Sequence, residues 1–301
     1  MVERREEASG GMKAKTRRAL AGDLLLAMLG FFFLFPIYWA VLMAFKTQAD
    51  TTSWPPKFFF TPTLDNFRVV LGLGGESSSG ESGVIAGAST SIIPALGHSL
   101  VISLGALLVS LVVGIPAAYA LARYKFAARE SIAFTFLSFR FAPELLVIIP
   151  LFVIFRNIRL YDTYIGMIWI YQLITLPLVV WIVRGYFEDI PLEIEEAAKV
   201  DGCNWWGTFR HVALPLAMPG IAAALLLAFI YAWNNFIFVL ILGGEHTQTV
   251  TLAALNFLSS EQQVYGQMAA AVLISILPVL ALALYGQKYL VRGLSLGAVK
   301  E

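Results

Sequence analysis

Residues 195–219 read EEAAKVDGCNWWGTFRHVALPLAMP, a charged stretch with two glycines and two prolines set between two long apolar runs. Its local chemistry predicts two short helices. Asp189 is a candidate N-cap and Pro191 suits the first helical position. Glu193, Glu195 and Glu196 place negative charge in the first turns, where the helix dipole favours it. Ile194, Ala197, Ala198 and Asp201 then fall on one face. Gly202 is placed to end the helix, as glycine does at C′. A second helix is expected from about Asn204 to Val212, stopped by Leu214 and Pro215, with Pro219 opening the next apolar run.

Those flanking runs decide the fold class. The chain has 301 residues, 58% of them hydrophobic and 14% charged, against roughly 25% charged in a soluble globular domain. So little polar surface predicts a membrane protein. A helix needs about 20 mainly apolar residues to cross the hydrocarbon. Six segments qualify: 24–44, 100–122, 131–153, 163–183, 217–242 and 268–287. They lack the alternation of a barrel wall. The expectation is therefore an all-α integral membrane protein with six transmembrane helices and a cytoplasmic two-helix loop. Pro36, Pro116, Pro143, Pro150, Pro177 and Pro278 lie in these spans, where proline kinks a helix. The run 24–44 is too long for a signal peptide and reads as a retained first span.

Lys and Arg set the orientation. Most of the 21 basic residues fall on one side if the N-terminus is cytoplasmic. The chain then divides into a cytoplasmic segment 1–23, a permease-like membrane region 24–287 and a cytoplasmic tail 288–301. Outer loop 45–99 and inner loop 184–216 interrupt the membrane region. The Gly/Ser-rich stretch 72–83 has the composition of a flexible linker. Leu64, Phe67, Val70 and Leu71 fall at helical spacing. The single cysteine, Cys203, excludes an internal disulfide, and His98, His211 and His246 are too scattered to predict a metal site. A net charge of +1 gives no field for nucleic acid.

The first predicted helix of the inner loop and its turn carry Glu193, Glu195, Glu196 and Asp201. A helix lying on the anionic inner leaflet would favour basic residues instead, so a protein partner is the better reading. At this point the motif resembles a known family. Glu196-Ala197-Ala198, then Gly202, then Val212-x-Leu214-Pro215 resembles the EAA loop of bacterial ABC importer permeases. FKTQAD (45–50), YAWNNF (231–236) and RGLSLGAVK (292–300) are similar to the carbohydrate-uptake branch, in particular the second permease of maltose-type systems. The likeness runs over about 24–301, with the Gly/Ser stretch left out. Val212 stands where isoleucine is usual, and the Trp205–Trp206 pair is bulky.

The resemblance implies a bacterial inner-membrane subunit, both termini cytoplasmic, that works with a second permease, two ATP-binding cassette subunits and an extracytoplasmic solute-binding protein to import a sugar or sugar-like solute. It implies that Glu195, Glu196, Ala197, Ala198, Asp201 and Gly202 form a docking helix and turn for the ATPase, with Leu214 and Pro215 tying it to the fifth span. ATP and Mg would then belong to the partners, with no cofactor in this chain. Consistent with that, no GxxxxGK[ST] phosphate loop is present.

Polar groups inside spans are candidates for the solute path. Arg140 and Glu144 are spaced i, i+4 in the third span. An unpaired mid-membrane arginine costs ~3 kcal/mol on insertion scales, so a structural ion pair is one reading and a path-lining pair the other. Asn234 and Asn235 pose the same choice between interhelical glue and contacts to hydroxyls. Trp169, Tyr171, Gln172, Trp181, Tyr231 and Trp233 are candidates for stacking on sugar rings or for packing. A self-contained secondary transporter is the alternative function, but such proteins usually show internal repeats, and none is visible. An integral enzyme or scaffold has less support, because Arg140 and Glu144 are the titratable groups well inside the spans.

Overall fold

In a computed structural model, residues 2–74, 91–141, 143–257 and 264–296 are described, with side chains over 22–74, 91–139, 141, 143–257 and 264–286. The Gly/Ser-rich stretch beyond Gly74 and the last five residues lie outside the described residues. The described residues are helical, with no strand. In chain order the helices are α1 (Val2–Ala44), α2 (Gln48–Thr51), α3 (Asp65–Val70), α4 (Ile92–Arg123), α5 (Arg129–Phe141), α6 (Glu144–Asn157), α7 (Tyr164–Ile170) and α8 (Gln172–Asp189). There follow α9 (Leu192–Val200), α10 (Trp205–Thr208), a π-helical turn (Phe209–Ala213), α11 (Leu214–Trp233), α12 (Ile237–Leu242), α13 (Val250–Leu255) and α14 (Tyr265–Leu296).

Four of these helices are long and apolar enough to cross a membrane, and two bent pairs, α5–α6 and α7–α8, bring the number to six. The six-span expectation therefore fits, but two spans are bent pairs and the fifth ends before the expected 242. The third bends by 92° between α5 and α6. The fourth bends by 44° at Tyr171. The fifth stops at Trp233 and resumes at Ile237. Pro143 stands at the first break, as the residue before α6. Pro36, Pro116, Pro150, Pro177 and Pro278 sit inside continuous helices, so proline alone does not predict where this chain breaks. Several ends also move: α4 begins eight residues before the expected 100, α8 runs on to Asp189, and α14 continues to Leu296.

The centre of the bundle is α4, α8 and α11, with α14 on the outer side of α11 and α1 on α14. In lipid, apolar burial gives no net drive between helices, so close van der Waals packing of small residues holds them. Gly114 of α4 faces Leu176, Val179 and Val180 of α8, and Gly220 of α11 lies directly against the ring of Tyr186. Ala106, Ala118, Ala213, Ala217, Ala224 and Ala228 fill the same seams, all buried. A polar knot joins α4 to the bend at Tyr171. Ser110 Oγ lies 2.8 Å from both Gln172 Oε1 and Thr175 Oγ1, and Gln172 Nε2 donates to the Ala106 and Ile168 carbonyls. α1 is different: Leu26, Phe31, Phe32 and Phe33 are 68–70% exposed, an apolar surface suited to lipid or another membrane subunit.

The short α3 forms where the spacing of Phe67 and Val70 predicts it, and Val70 is buried. Leu64, however, is 56% exposed and precedes the helix. Asn66 stitches this outer segment to the end of α1, donating to the Ala44 and Lys46 carbonyls at 2.9 and 2.8 Å.

Candidate functional site

The insert after α8 is shorter and better braced than the sequence predicts. Asp189 is the last residue of α8 rather than an N-cap, and Pro191 is the residue before α9 rather than inside it. The cause is that α8 stays helical through residues 184–189, its polar end held by charge. Arg184 Nε lies 2.8 Å from Glu188 Oε1 and its NH2 2.8 Å from Glu130 Oε1, while Arg129 reaches Glu188 at 2.6 Å. The four groups clamp the start of α5 onto the end of α8.

α9 ends as the glycine predicts. Gly202 has φ +93°, the Cys203 N–H donates to the Ala198 carbonyl, and the Gly202 N–H donates to the Lys199 carbonyl. This is the paired bonding of a Schellman turn. Asn204 then caps α10, accepting from the Gly207 N–H at 2.7 Å. Leu214 and Pro215 do not stop that helix. The chain passes through the π turn Phe209–Ala213 into α11, so residues 205–233 form one continuous span and Pro219 lies inside it. The π turn explains the difference. It shifts the Leu214 N–H onto the Phe209 carbonyl, and Pro215, which has no N–H to place, is accepted in the first turn of α11.

The sequence-predicted docking residues divide into two groups. Glu196, Ala197, Asp201 and Gly202 are exposed, together with Leu192, Ile194 and Val200, and Trp205 and Trp206 are half-exposed beside them. Ala198 is half-buried. Glu195 faces the other way and is 2% exposed. Its Oε1 pairs with Arg123 Nε at 2.7 Å, and its Oε2 accepts from the Tyr119 hydroxyl at 2.7 Å. Arg123 also donates to the Ile190 carbonyl at 2.9 Å. Tyr119 is packed between Phe187 and Phe209, with ring centroids 5.2 and 4.9 Å away. The sequence offers no signal for Arg123 and Tyr119, which lie more than 70 residues from their partner.

The breaks in the spans enclose a second feature. A cavity of about 860 Å³ opens among α4, α5, α6, α7, α8 and α11, where Phe139, Glu144, Trp169, Leu173 and Tyr231 contribute to a largely apolar wall. Glu144 is the first residue of α6 and lines it. The straight-helix spacing behind the expected Arg140–Glu144 pair does not hold, because the third span bends by 92° between residues 139 and 144; the Arg140 side chain lies outside the described residues. Gln172 reaches the cavity edge, but its amide is committed to the Ser110 knot. Asn234 and Asn235 are not among the lining residues. Asn234 donates to the Ile230 carbonyl of its own helix, and Asn235, buried, accepts from the Phe238 N–H to restart the chain as α12. Of the other aromatics, Tyr171 is buried against Phe238, and Trp233 is buried and donates to the Ser275 carbonyl. Trp181 is 45% exposed and away from the cavity wall.

At the end of the bundle opposite the insert, Asp162 holds the loop after α12. It accepts from the Gly244 N–H at 2.8 Å, from Thr247 Oγ1 at 2.7 Å and from the His246 ring at 3.0 Å. Burial opposes its ionisation, but these donors prevail and hold the carboxyl below its ordinary range.

Comparison with known proteins fits this architecture. Residues 110–296 match the family described as "Binding-protein-dependent transport system inner membrane component". The trehalose transport system permease SugB of Mycobacterium tuberculosis is 33% identical, covering 94% of this chain and 98% of that protein. The diacetylchitobiose uptake permease DasC of Streptomyces coelicolor is 32% identical, covering 88% of this chain and 91% of that one. Among solved structures, a bacterial ABC transporter involved in alginate import superposes with a TM-score of 0.71 at 22% identity, covering 90% of this chain and 95% of the matched one.

Proposed function

This chain belongs to the family of binding-protein-dependent transport system inner membrane components, as a permease subunit of an ABC importer, and from that premise we propose that it carries a sugar or oligosaccharide. In this reading it forms the path with a second permease, two cytoplasmic ATP-binding cassette subunits drive it, and an extracytoplasmic binding protein delivers the solute. ATP and Mg are held by the ATPase subunits. The chain sits in the inner membrane with both termini cytoplasmic.

The observation that carries the proposal is the exposed α9 and its Gly202 turn, mounted on the membrane bundle. Glu196, Ala197 and Asp201 face outward, and the small side chains let another backbone approach closely. Exposed Leu192, Ile194 and Val200 supply the apolar area that a protein partner buries. Leu214 and Pro215 sit at the start of α11, so displacement of α9 and α10 is passed directly into a span. The aromatic cavity is the solute-path candidate of this reading. Trp169 and Tyr231 offer ring faces to sugar C–H groups, and Glu144 offers acceptors to hydroxyls.

The test is to solubilise the chain gently from its native membrane and identify the subunits that come with it. An ATPase, a second permease and a binding protein are expected. A chain that purifies alone and transports in vesicles without ATP would reject the reading.

A further inference from the structure

Glu195 stands inside the outward-facing stretch of the insert, yet its carboxylate points into the protein. Both oxygens are used, Oε1 by Arg123 and Oε2 by Tyr119. The guanidinium of Arg123 also holds the Ile190 carbonyl, in the linker between α8 and α9. The middle of α9, the linker before it and the last turn of α4 thus meet at one buried charge pair, with side-chain exposures of 9% and 2%. A partner protein cannot reach this carboxylate without first breaking the pair.

We propose that Glu195, Arg123 and Tyr119 form a pin that passes the motion of α9 to α4, making Glu195 a positioning residue for coupling rather than a contact for the ATPase. This inference rests on the permease reading above. The other connections of α9 run through the backbone. On one side lies the extended pair Ile190–Pro191, and on the other the left-handed Gly202 turn followed by the π turn. The pin is stiff by contrast. Breaking a buried ion pair leaves an uncompensated charge, which is far costlier than losing a surface pair. The rings of Phe187 and Phe209 fix Tyr119 in place. α4 is one unbroken helix, and Val109 and Val113 on it line the cavity. Ten residues separate Arg123 from Val113, about 15 Å at 1.5 Å per residue. A push on α9 is therefore delivered along α4 to the cavity wall, beside the route through α10 into α11. Buried ion pairs are often no more stable than apolar packing of the same volume; the value of this one is a fixed register between α9 and α4.

The test uses the whole complex, co-expressed and reconstituted in proteoliposomes. Radiolabelled trehalose, maltose and diacetylchitobiose are offered to the parent, and stimulation of ATP hydrolysis by the binding protein is read alongside. With Glu195→Gln, the ATPase subunits stay bound and hydrolysis persists, but binding-protein stimulation and uptake per ATP fall at least tenfold. With Tyr119→Phe, which keeps the ring and loses one hydrogen bond, they fall about threefold. In a Cys203→Ser background, Glu195→Cys with Arg123→Cys is uncoupled, and a short thiol crosslinker restores stimulation to within threefold of the parent. Parent-like coupling in Glu195→Gln overturns the pin, and so does loss of the ATPase from that variant, which would make Glu195 a docking contact while leaving the permease reading intact. If Glu195→Gln does not accumulate, unchanged coupling in Tyr119→Phe overturns it. A parent complex that carries no ATPase overturns both.

Discussion

The insert and the cavity are both built where helices end, but they are specified differently. The insert is local. Gly202, Asn204 and the acids of the first turn each act within a few residues. The cavity is not local. It exists where α5–α6, α7–α8 and α11–α12 break beside an unbroken α4. The difference teaches that an exposed turn of this kind is encoded in sequence-adjacent chemistry, whereas the cavity is encoded in packing between distant segments. Substitutions in the two regions should therefore fail in different ways.

The largest effect is expected at Gly202. Its φ of +93° is one that a β-branched residue resists, although a Cβ there would meet no atom within 4 Å. The penalty is conformational strain of about 1–3 kcal/mol. Gly202→Val should leave the protein in the membrane and reduce uptake tenfold to a hundredfold, with ATPase subunits lost from the purified complex. Gly202→Asn, which tolerates left-handed backbone better, should lose less. Normal uptake by Gly202→Val would show that the turn is not what presents α9. Glu144 makes the opposite prediction. Glu144→Ala should lower solute uptake about tenfold while the ATPase subunits remain bound. Loss of the ATPase from that variant would collapse the distinction between the two regions.

This contrast also governs what is legible in the sequence. The all-helical membrane class, the number of spans and the Gly202 turn are readable because each rests on composition or on neighbours within one helical turn. Glu195 is legible as part of the insert but not as buried, since its partners Tyr119 and Arg123 are brought in by the packing of α4. The continuity of α10 into α11 is illegible for a subtler reason. Pro215 is a helix breaker in isolation, and only the π turn before it, fixed by buried Phe209 and Ala213, absorbs the missing donor. Asn234 and Asn235 were candidates for the solute path, and the structure gives their amides to the chain break itself. At Glu144 the expected pairing depended on a straight third span. The bend takes away that straight register, and the Glu144 carboxylate stands on the cavity wall.

Packing between α8 and α11 joins segments distant in sequence, so Gly220 tests the non-local side of the comparison. A Cβ at Gly220 would run into the Tyr186 ring, and overpacking of this kind typically costs about 1–3 kcal/mol. Gly220→Leu should lower the thermal unfolding temperature of the detergent-solubilised protein, and Tyr186→Ala in the same chain should recover part of the loss by making room. If Gly220→Leu unfolds at the parent temperature, the close seam does not carry the load assigned to it.

The smallest effect belongs to Asp162, a local device at the end of the bundle away from the insert. Its carboxylate gathers donors from residues 244–247, and replacing it with an amide removes charge-assisted bonds worth about 1–2 kcal/mol together. Amide hydrogen exchange of Gly244 and His246 should therefore quicken about tenfold in Asp162→Asn, with the rest of the bundle unchanged. The pH dependence follows from the direction of the shift. Folding lowers this pKa, so the contribution is complete above the ordinary carboxylate value of about 4 and disappears only as pH falls through the lower folded value. Corrected for intrinsic exchange, the gap between parent and variant should thus be constant from about pH 5 to 8. A gap that closes within that window would mean that the Asp162 carboxylate is not what holds residues 244–247, and the local account of this end of the bundle would fail.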